Sequence, residues 1–149
     1  MTVAIWDWVV AAYGRPGVPA ATLTLQDTHG QNTSYLLWAV HARTTDKDLL
    51  VRAAAAARAW DQTALVPLRE VRRALKPPLT PFSDDQREQF REAVKALELG
   101  AEKLLMETLD GLSHERGDAA LLDVLHAASQ AWGHPAPDDA LAVLAAALE

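Results

Sequence analysis

Polar side chains are concentrated in one short stretch of the apolar N-terminal region, at residues 25–38, LQDTHGQNTSYLLW. A carboxylate beside an imidazole could act as a general acid–base pair, and Asp27 and His29 are residue types suited to that chemistry. Two positions apart on a helix, however, they point about 200° away from each other. The pattern therefore favours a buried, hydrogen-bonded junction between two helices, with an enzyme or small-ligand site as the alternative. The predicted junction residues are Gln26, Asp27, Asn32 and Ser34.

A second candidate site is a row of four cationic residues near the middle of the chain. Their spacing of 0, 3, 4 and 7 places them along one stripe of a helix, beside an apolar stripe. We name this row the basic stripe: Arg69, Arg72, Arg73 and Lys76. It could pair with the acidic residues of the following helix, which are Glu88, Glu92, Glu98 and Glu102. Alternatively, it could bind an external acidic protein surface, a phosphate or RNA, although the lack of interleaved aromatic residues weakens the RNA interpretation.

The residue types that define common catalytic and metal sites are missing from the sequence. There is no cysteine, which excludes disulfides, thiol nucleophiles and thiolate metal ligands. The five histidines form neither an i,i+4 pair nor an HExxH pattern, and the glycine motifs of phosphate-binding loops and nucleophile elbows are absent. We therefore predict no metal and no cofactor, and the sequence argues against an enzyme without excluding one.

Helices must position these residues, because apolar residues recur at helical spacing along the chain. The third helix, TSYLLWAVHA, is apolar nearly all round and is expected at the centre of the fold. A bend is expected at Pro67. The pattern predicts an all-α, single-domain bundle of about seven or eight helices over residues 1–149, with the proline linker at 77–81 inside the domain. The expected helices cover about residues 3–13, 18–29, 33–42, 46–58, 60–76, 84–112, 119–132 and 138–149.

Local signals set several of these boundaries. Gly30 suits the left-handed conformation that ends a helix, and Asn32 and Ser83 are expected N-caps, whose side-chain oxygens accept a free backbone N–H. Asp118 is expected to cap the helix that ends near residue 132. Trp6 is expected to point into the core.

The N-terminal third, IWDWVVAAYGRPGVPAATLTLQDTHGQNTSYLLW, combines spaced aromatic residues with PGV and LQDxxG elements. Together with PLREVRRALK at 67–76, it resembles an uncharacterised family of small helical bacterial proteins, mainly from proteobacteria, over residues 5–110. That family tends to have Asp-Val-Asn where this chain has Asn-Thr-Ser at 32–34, and Phe where it has Trp8 and Trp38. The resemblance implies an all-α fold and carries no established activity.

The net charge of -6 is unevenly distributed, because residues 1–82 are net basic and residues 83–149 are net acidic. The overall acidity argues against general nucleic-acid binding without excluding it. The N-terminus lacks the basic start of a signal peptide, and no uncharged apolar run reaches the roughly 18 residues that a membrane span needs. We therefore expect a cytoplasmic protein that does not enter a membrane.

These observations favour a non-catalytic protein-interaction or structural module. Its expected partner is an acidic protein or a second copy of the chain in a homodimer. Two alternatives stay open: a small-ligand binder or enzyme that uses the polar junction, and an RNA- or ribosome-associated factor that uses the basic stripe.

Overall fold

The computed structural model describes residues 3–149, and within that range the fold is all-helical, as predicted. Seven continuous helical stretches follow one another, because α4 and α5 are joined without a break. The α-helices are α1 (Ile5–Tyr13), α2 (Val18–Asp27), α3 (Thr33–Ala42), α4 (Lys47–Trp60), α5 (Val66–Ala74), α6 (Asp84–Asp110), α7 (Leu121–Trp132) and α8 (Asp138–Leu148).

The join between α4 and α5 is a π-helical segment, Asp61–Leu65. The expected break near residue 59 is therefore wrong, and the irregularity lies before Pro67 rather than at it. Pro67 is the second residue of α5, inside a continuous helical stretch, so its missing N–H removes one hydrogen bond to the preceding turn. Because π-helical turns insert an extra residue and often occur at functional sites, this segment bears directly on the candidate site.

Helix α3 lies at the centre of the fold, as its apolar sequence predicts. Every residue from 34 to 42 is buried, and α3 packs against α1, α2, α4, α6 and α7. The Tyr35 hydroxyl donates to the Ala128 carbonyl at 2.8 Å, which ties α3 to α7. Trp38 Nε1 is enclosed without a hydrogen-bond partner in residues 3–149.

Two expected details are wrong, the burial of Trp6 and the N-cap of α7. In α1 the buried residues are Ile5, Val9 and Ala12, so Trp6 is only half-buried and lies beneath the Lys103 ammonium. Helix α7 begins after Ala120 without a side-chain cap, so Asp118 does not serve as its N-cap. The preceding loop is held instead by its backbone, since Gly117 N donates to the carbonyl of Ala42 at 2.8 Å.

Helices α5 and α6 form a hairpin whose turn contains the proline segment 77–81. Helix α5 packs along α6 and has no buried residue of its own, and Val94 is the buried residue in residues 84–100 of α6. The hairpin is held together by Arg87 Nε, which donates to the Leu75 carbonyl at 3.0 Å, and by Arg91 Nε, which donates to the Arg72 carbonyl at 3.3 Å. The other half of α6 enters the core.

Candidate functional site

The junction between α2 and α3 opens into a cavity of about 150 Å³, which we name the junction pocket. Its walls come from the α2–α3 loop, the start of α3, the π-helical segment, α5 and α6. The sequence pattern predicted a polar site at this junction, and the structure adds side chains from three other elements. The polar side chains that line the pocket include Gln26, Asn32, Ser34, Asp61, Arg69 and Glu102.

Local backbone geometry sets the floor of this pocket. Gly30 has a φ of 63°, the left-handed conformation expected from the sequence, and the chain turns back so that Gln31 N donates to the Leu25 carbonyl at 3.0 Å. Asn32 is the N-cap of α3, and its Oδ1 accepts from Tyr35 N at 2.9 Å. This cap, which the sequence predicted, leaves Ser34 in the first turn of α3 and facing the pocket.

The buried hydrogen-bond network of the junction is centred on Gln31, which was not among the predicted junction residues. Its side chain is 3% exposed, and its Nε2 donates to the carbonyls of His134 at 2.6 Å and His29 at 3.1 Å. Its Oε1 accepts from the Ser129 hydroxyl at 3.1 Å, and that hydroxyl accepts from Ala136 N at 2.7 Å. One amide thus joins the α2–α3 loop to α7 and to the loop that precedes α8.

Two carboxylates and one guanidinium face the pocket from the other side. Asp61 and Arg69 lie eight residues apart along the π-helical segment and α5, and Leu65 lies halfway between them. Burial raises the pKa of Asp61, an effect that the Asn32 side chain and the positive charge of Arg69 partly offset. Burial also raises the pKa of Glu102 on α6, because desolvation favours the neutral form of a carboxyl group.

The predicted junction residues separate into two groups. Gln26, Asn32 and Ser34 line the pocket, whereas the side chain of Asp27 is exposed at the last residue of α2. The expected burial of Asp27 is therefore wrong. The physical reason is that Leu25 occupies the core-facing position of that turn, and two residues further on the helix surface has rotated to solvent.

The basic stripe is also divided by its surroundings. Arg69 lines the junction pocket, and Arg72 forms an ion pair with Glu98 on α6, as the intramolecular interpretation predicts. Arg73 and Lys76 are exposed. Consequently, the four cations do not present one continuous charged surface, which weakens the interpretation of the stripe as an RNA-binding site.

The end of the α5–α6 hairpin carries an apolar surface, which we name the hairpin tip and define by Leu75, Leu79, Phe82 and Phe90. These residues line a cavity of about 320 Å³ together with Gln86 and Arg87. Phe82 is 67% exposed and Phe90 is 60% exposed. The sequence pattern of this region indicates a linker followed by a charged helix and does not predict the apolar surface. The available signal was Phe82 directly after the proline segment and Phe90 in an otherwise charged part of the next helix.

The part of the chain that the structure describes, residues 3–149, contains no group of three or more histidine or carboxylate side chains placed to bind a metal ion. Over the same residues, none of the helices combines the length and apolar character required to cross a lipid bilayer.

The fold and the junction pocket define an all-α protein with a small polar site between its helices. The chain belongs to the family described as "Protein of unknown function (DUF2390)", which matches residues 4–109. Membership of an uncharacterised family, which the resemblance over residues 5–110 implied, is thus confirmed. No curated protein and no solved structure matched the chain. Helices α7 and α8 lie beyond the matched residues, although α7 supplies hydrogen bonds to the junction.

Proposed function

We propose that the protein is a non-catalytic protein-interaction module that uses the hairpin tip as its docking surface and a second copy of this chain as its partner. The observation that carries the proposal is the position of the chain's two phenylalanines. Phe82 and Phe90 are both on the hairpin, and both are more than half exposed. Large aromatic side chains dominate the binding energy of protein interfaces when they become buried, so this exposure supports an interface.

The shape of the hairpin supports the same conclusion. Helix α5 has no buried residue and is amphipathic, so its apolar side is covered only in part by α6. Leu97 lies seven residues after Phe90, on the same face of α6, and continues the exposed apolar surface at 61% exposure. Soluble proteins rarely leave a contiguous apolar surface of this kind uncovered unless it binds something.

The charges around the tip favour a second copy as the partner. Arg73 on α5 and Lys76 in the following turn are exposed and positive, whereas Asp85 and Glu92 on α6 are exposed and negative. In a twofold interface the same surface meets itself, so the positive residues of one copy contact the negative residues of the other. A hairpin that carries both signs is therefore self-complementary. A purely acidic partner would meet repulsion from α6.

The first test is sedimentation equilibrium of the full chain over a wide range of protein concentration. The expected result is a mass that rises from monomer to dimer with concentration, and a monomer at every concentration for the Phe82→Ser, Phe90→Ser double variant. The matched control is Leu23→Ser, because Leu23 on α2 is 58% exposed and far along the chain from the hairpin. A wild-type chain that stays monomeric throughout refutes the second copy as partner.

A charge-reversal experiment tests the geometry of the interface separately. One variant carries Arg73→Glu with Lys76→Glu, and the other carries Asp85→Lys with Glu92→Lys. Each variant alone should fail to dimerise, because like charges now face each other across the twofold axis. An equimolar mixture should restore the dimer, since each reversed surface then meets its opposite. If the mixture remains monomeric while the wild-type chain dimerises, the dimer uses another surface.

A further inference from the structure

One stripe of α6 is uncharged and exposed over most of the helix. Its residues follow one another at intervals of four and three, which is the spacing of a coiled-coil seam. We name this row the α6 stripe: Gln86, Phe90, Ala93, Leu97, Gly100 and Leu104. Every one of these residues is exposed, so the helices within residues 3–149 leave the stripe uncovered. A row with this spacing and composition is suited to packing against another helix.

A cavity adjoins the α6 stripe towards each of its ends. Towards the start of α6, Phe90 and Leu75 line the cavity of the hairpin tip. Towards the other end, Leu104 and Trp60 line a cleft of about 200 Å³ between α4 and α6, which we name the α4–α6 cleft. No charged residue lines this cleft. Since an apolar cavity of about 150 Å³ accommodates a benzene ring, the α4–α6 cleft has room for one phenylalanine side chain.

We infer that two copies of the chain pack their α6 helices antiparallel across a twofold axis at Ala93, and that Phe82 of each copy enters the α4–α6 cleft of the other. In this arrangement, residues at equal distances before and after Ala93 face each other. Phe82 lies eleven residues before Ala93, and Leu104 lies eleven residues after it. The exposed phenylalanine therefore meets the cleft that Leu104 lines.

The same register pairs the remaining residues of the α6 stripe. Gln86 and Gly100 lie seven residues on either side of Ala93, and the missing side chain of Gly100 leaves room for the longer Gln86. A Cβ at Gly100 would meet no atom within 4 Å, so no contact within residues 3–149 requires glycine there, although glycine destabilises a helix interior relative to alanine. Phe90 packs beside Leu97 of the second copy, and the small Ala93 allows the two helices to approach closely.

The absence of charge favours a second copy over a charged partner. An uncharged stripe can lie against itself without placing like charges together, whereas a charged surface would lose its hydration there without gaining an ion pair. The inference rests on the proposed function, because it requires the dimer. It adds the register of the two helices and the cavity that receives Phe82.

Filling the α4–α6 cleft tests the contact with Phe82. Ala59→Trp should raise the dissociation constant of the dimer by about tenfold or more, because the indole occupies the space that the phenylalanine enters. Ala55→Trp is the matched control, since Ala55 is also an exposed alanine of α4 and does not line the cleft. Thermal unfolding of the dilute monomers should be the same for both variants. Equal dissociation constants for the two variants overturn the docking of Phe82 in the cleft.

Introduced cysteines test the register, because the chain contains no cysteine of its own. Under mild oxidation Ala93→Cys should form a covalent dimer, since a residue on the twofold axis lies beside its own copy and a disulfide requires Cα atoms within about 7 Å. Gln86→Cys and Gly100→Cys should cross-link rapidly when mixed and slowly when each is alone. Leu23→Cys is the control, because Leu23 is exposed on α2.

The outcomes separate this inference from the proposed function. If the wild-type chain dimerises in sedimentation but Ala93→Cys cross-links no faster than Leu23→Cys, the register is wrong and the proposed dimer is unaffected. If Gln86→Cys cross-links alone as fast as in the mixture with Gly100→Cys, the helices are not antiparallel about Ala93. A wild-type chain that stays monomeric overturns both the proposed function and this inference.

Discussion

Replacement of Gln31 by methionine tests whether one amide holds the α2–α3 junction to the C-terminal helices. Methionine keeps the length of the side chain and removes its polar atoms. Three hydrogen bonds are lost, to the carbonyls of His29 and His134 and from the hydroxyl of Ser129. Each bond contributes about 1 kcal/mol net, and a buried group left unpaired costs roughly 1–3 kcal/mol.

The expected loss follows from which partners water can reach. His134 is exposed, so its carbonyl can be hydrated again, whereas Ser129 is completely buried and still accepts from Ala136 N. We therefore expect Gln31→Met to lower the free energy of unfolding by about 2–3 kcal/mol. For a domain of this size, that corresponds to a fall in Tm of about 4–12 °C.

Urea unfolding followed by circular dichroism measures this change directly, provided that the m-value is unchanged. Gln130→Met is the matched control, because Gln130 is exposed on α7 next to Ser129 and should change stability by less than about 0.5 kcal/mol. Ser129→Ala and the double variant complete a cycle, in which the two substitutions should not be additive because the side chains are bonded. A Gln31→Met protein as stable as the Gln130→Met protein refutes the proposed role of the amide.

Two further substitutions test the backbone and the pocket charges. Gly117→Ala should destabilise the protein by more than about 1 kcal/mol, because its Cβ would lie 2.2 Å from the Arg43 carbonyl oxygen. The control Gly100→Ala on α6 places its Cβ where no atom lies within 4 Å, and it should stabilise the protein by about 0.5–1 kcal/mol. Equal effects of the two substitutions in thermal unfolding would contradict this expectation. Asp61→Asn tests the pH dependence: burial raises the folded-state pKa of Asp61 above its ordinary value of 3.8, so the folded state binds the proton more tightly than the unfolded state. Protonation of Asp61 therefore favours folding of the wild-type protein at low pH, and this contribution is lost as pH rises from about 3.8 through the folded-state pKa. Since the Asp61→Asn protein lacks this titration, its stability relative to wild type should increase over that interval. Denaturant unfolding at a series of pH values measures this difference in stability, with Glu107→Gln as control. A stability difference between Asp61→Asn and wild type that stays constant with pH would contradict the raised pKa of Asp61.

Much of the helical framework could be predicted because it depends on local signals. Asn32 and Ser83 cap their helices as their side chains predict, and the apolar sequence of α3 correctly placed it at the centre. The burial of single residues within a helix was harder to predict. Trp6 and Asp27 each lie one or two residues from a core position, and a rotation of about 100° per residue moves a side chain from core to solvent.

The candidate site could be predicted only in part, because its walls come from distant parts of the chain. The polar residues at 26–34 pointed to the junction, but Asp61 was missed because a helix boundary was expected beside it. A π-helical turn leaves no periodic signal in the sequence, since it shifts the phase of the helix by a single residue. Gln31 was missed for a related reason: its partners, Ser129 and His134, are about a hundred residues away.

The position of α3 has a consequence for how the molecule opens. Its amides are surrounded by five other helices, so no small displacement exposes them to water. Their hydrogen exchange should therefore require global unfolding and report the full free energy of the fold. The hairpin, with α5 lacking any buried residue, should exchange through local opening at a much lower free energy. Protection of the hairpin amides that increases with protein concentration, while the α3 amides remain the slowest, would reveal dimer formation in the same exchange experiment.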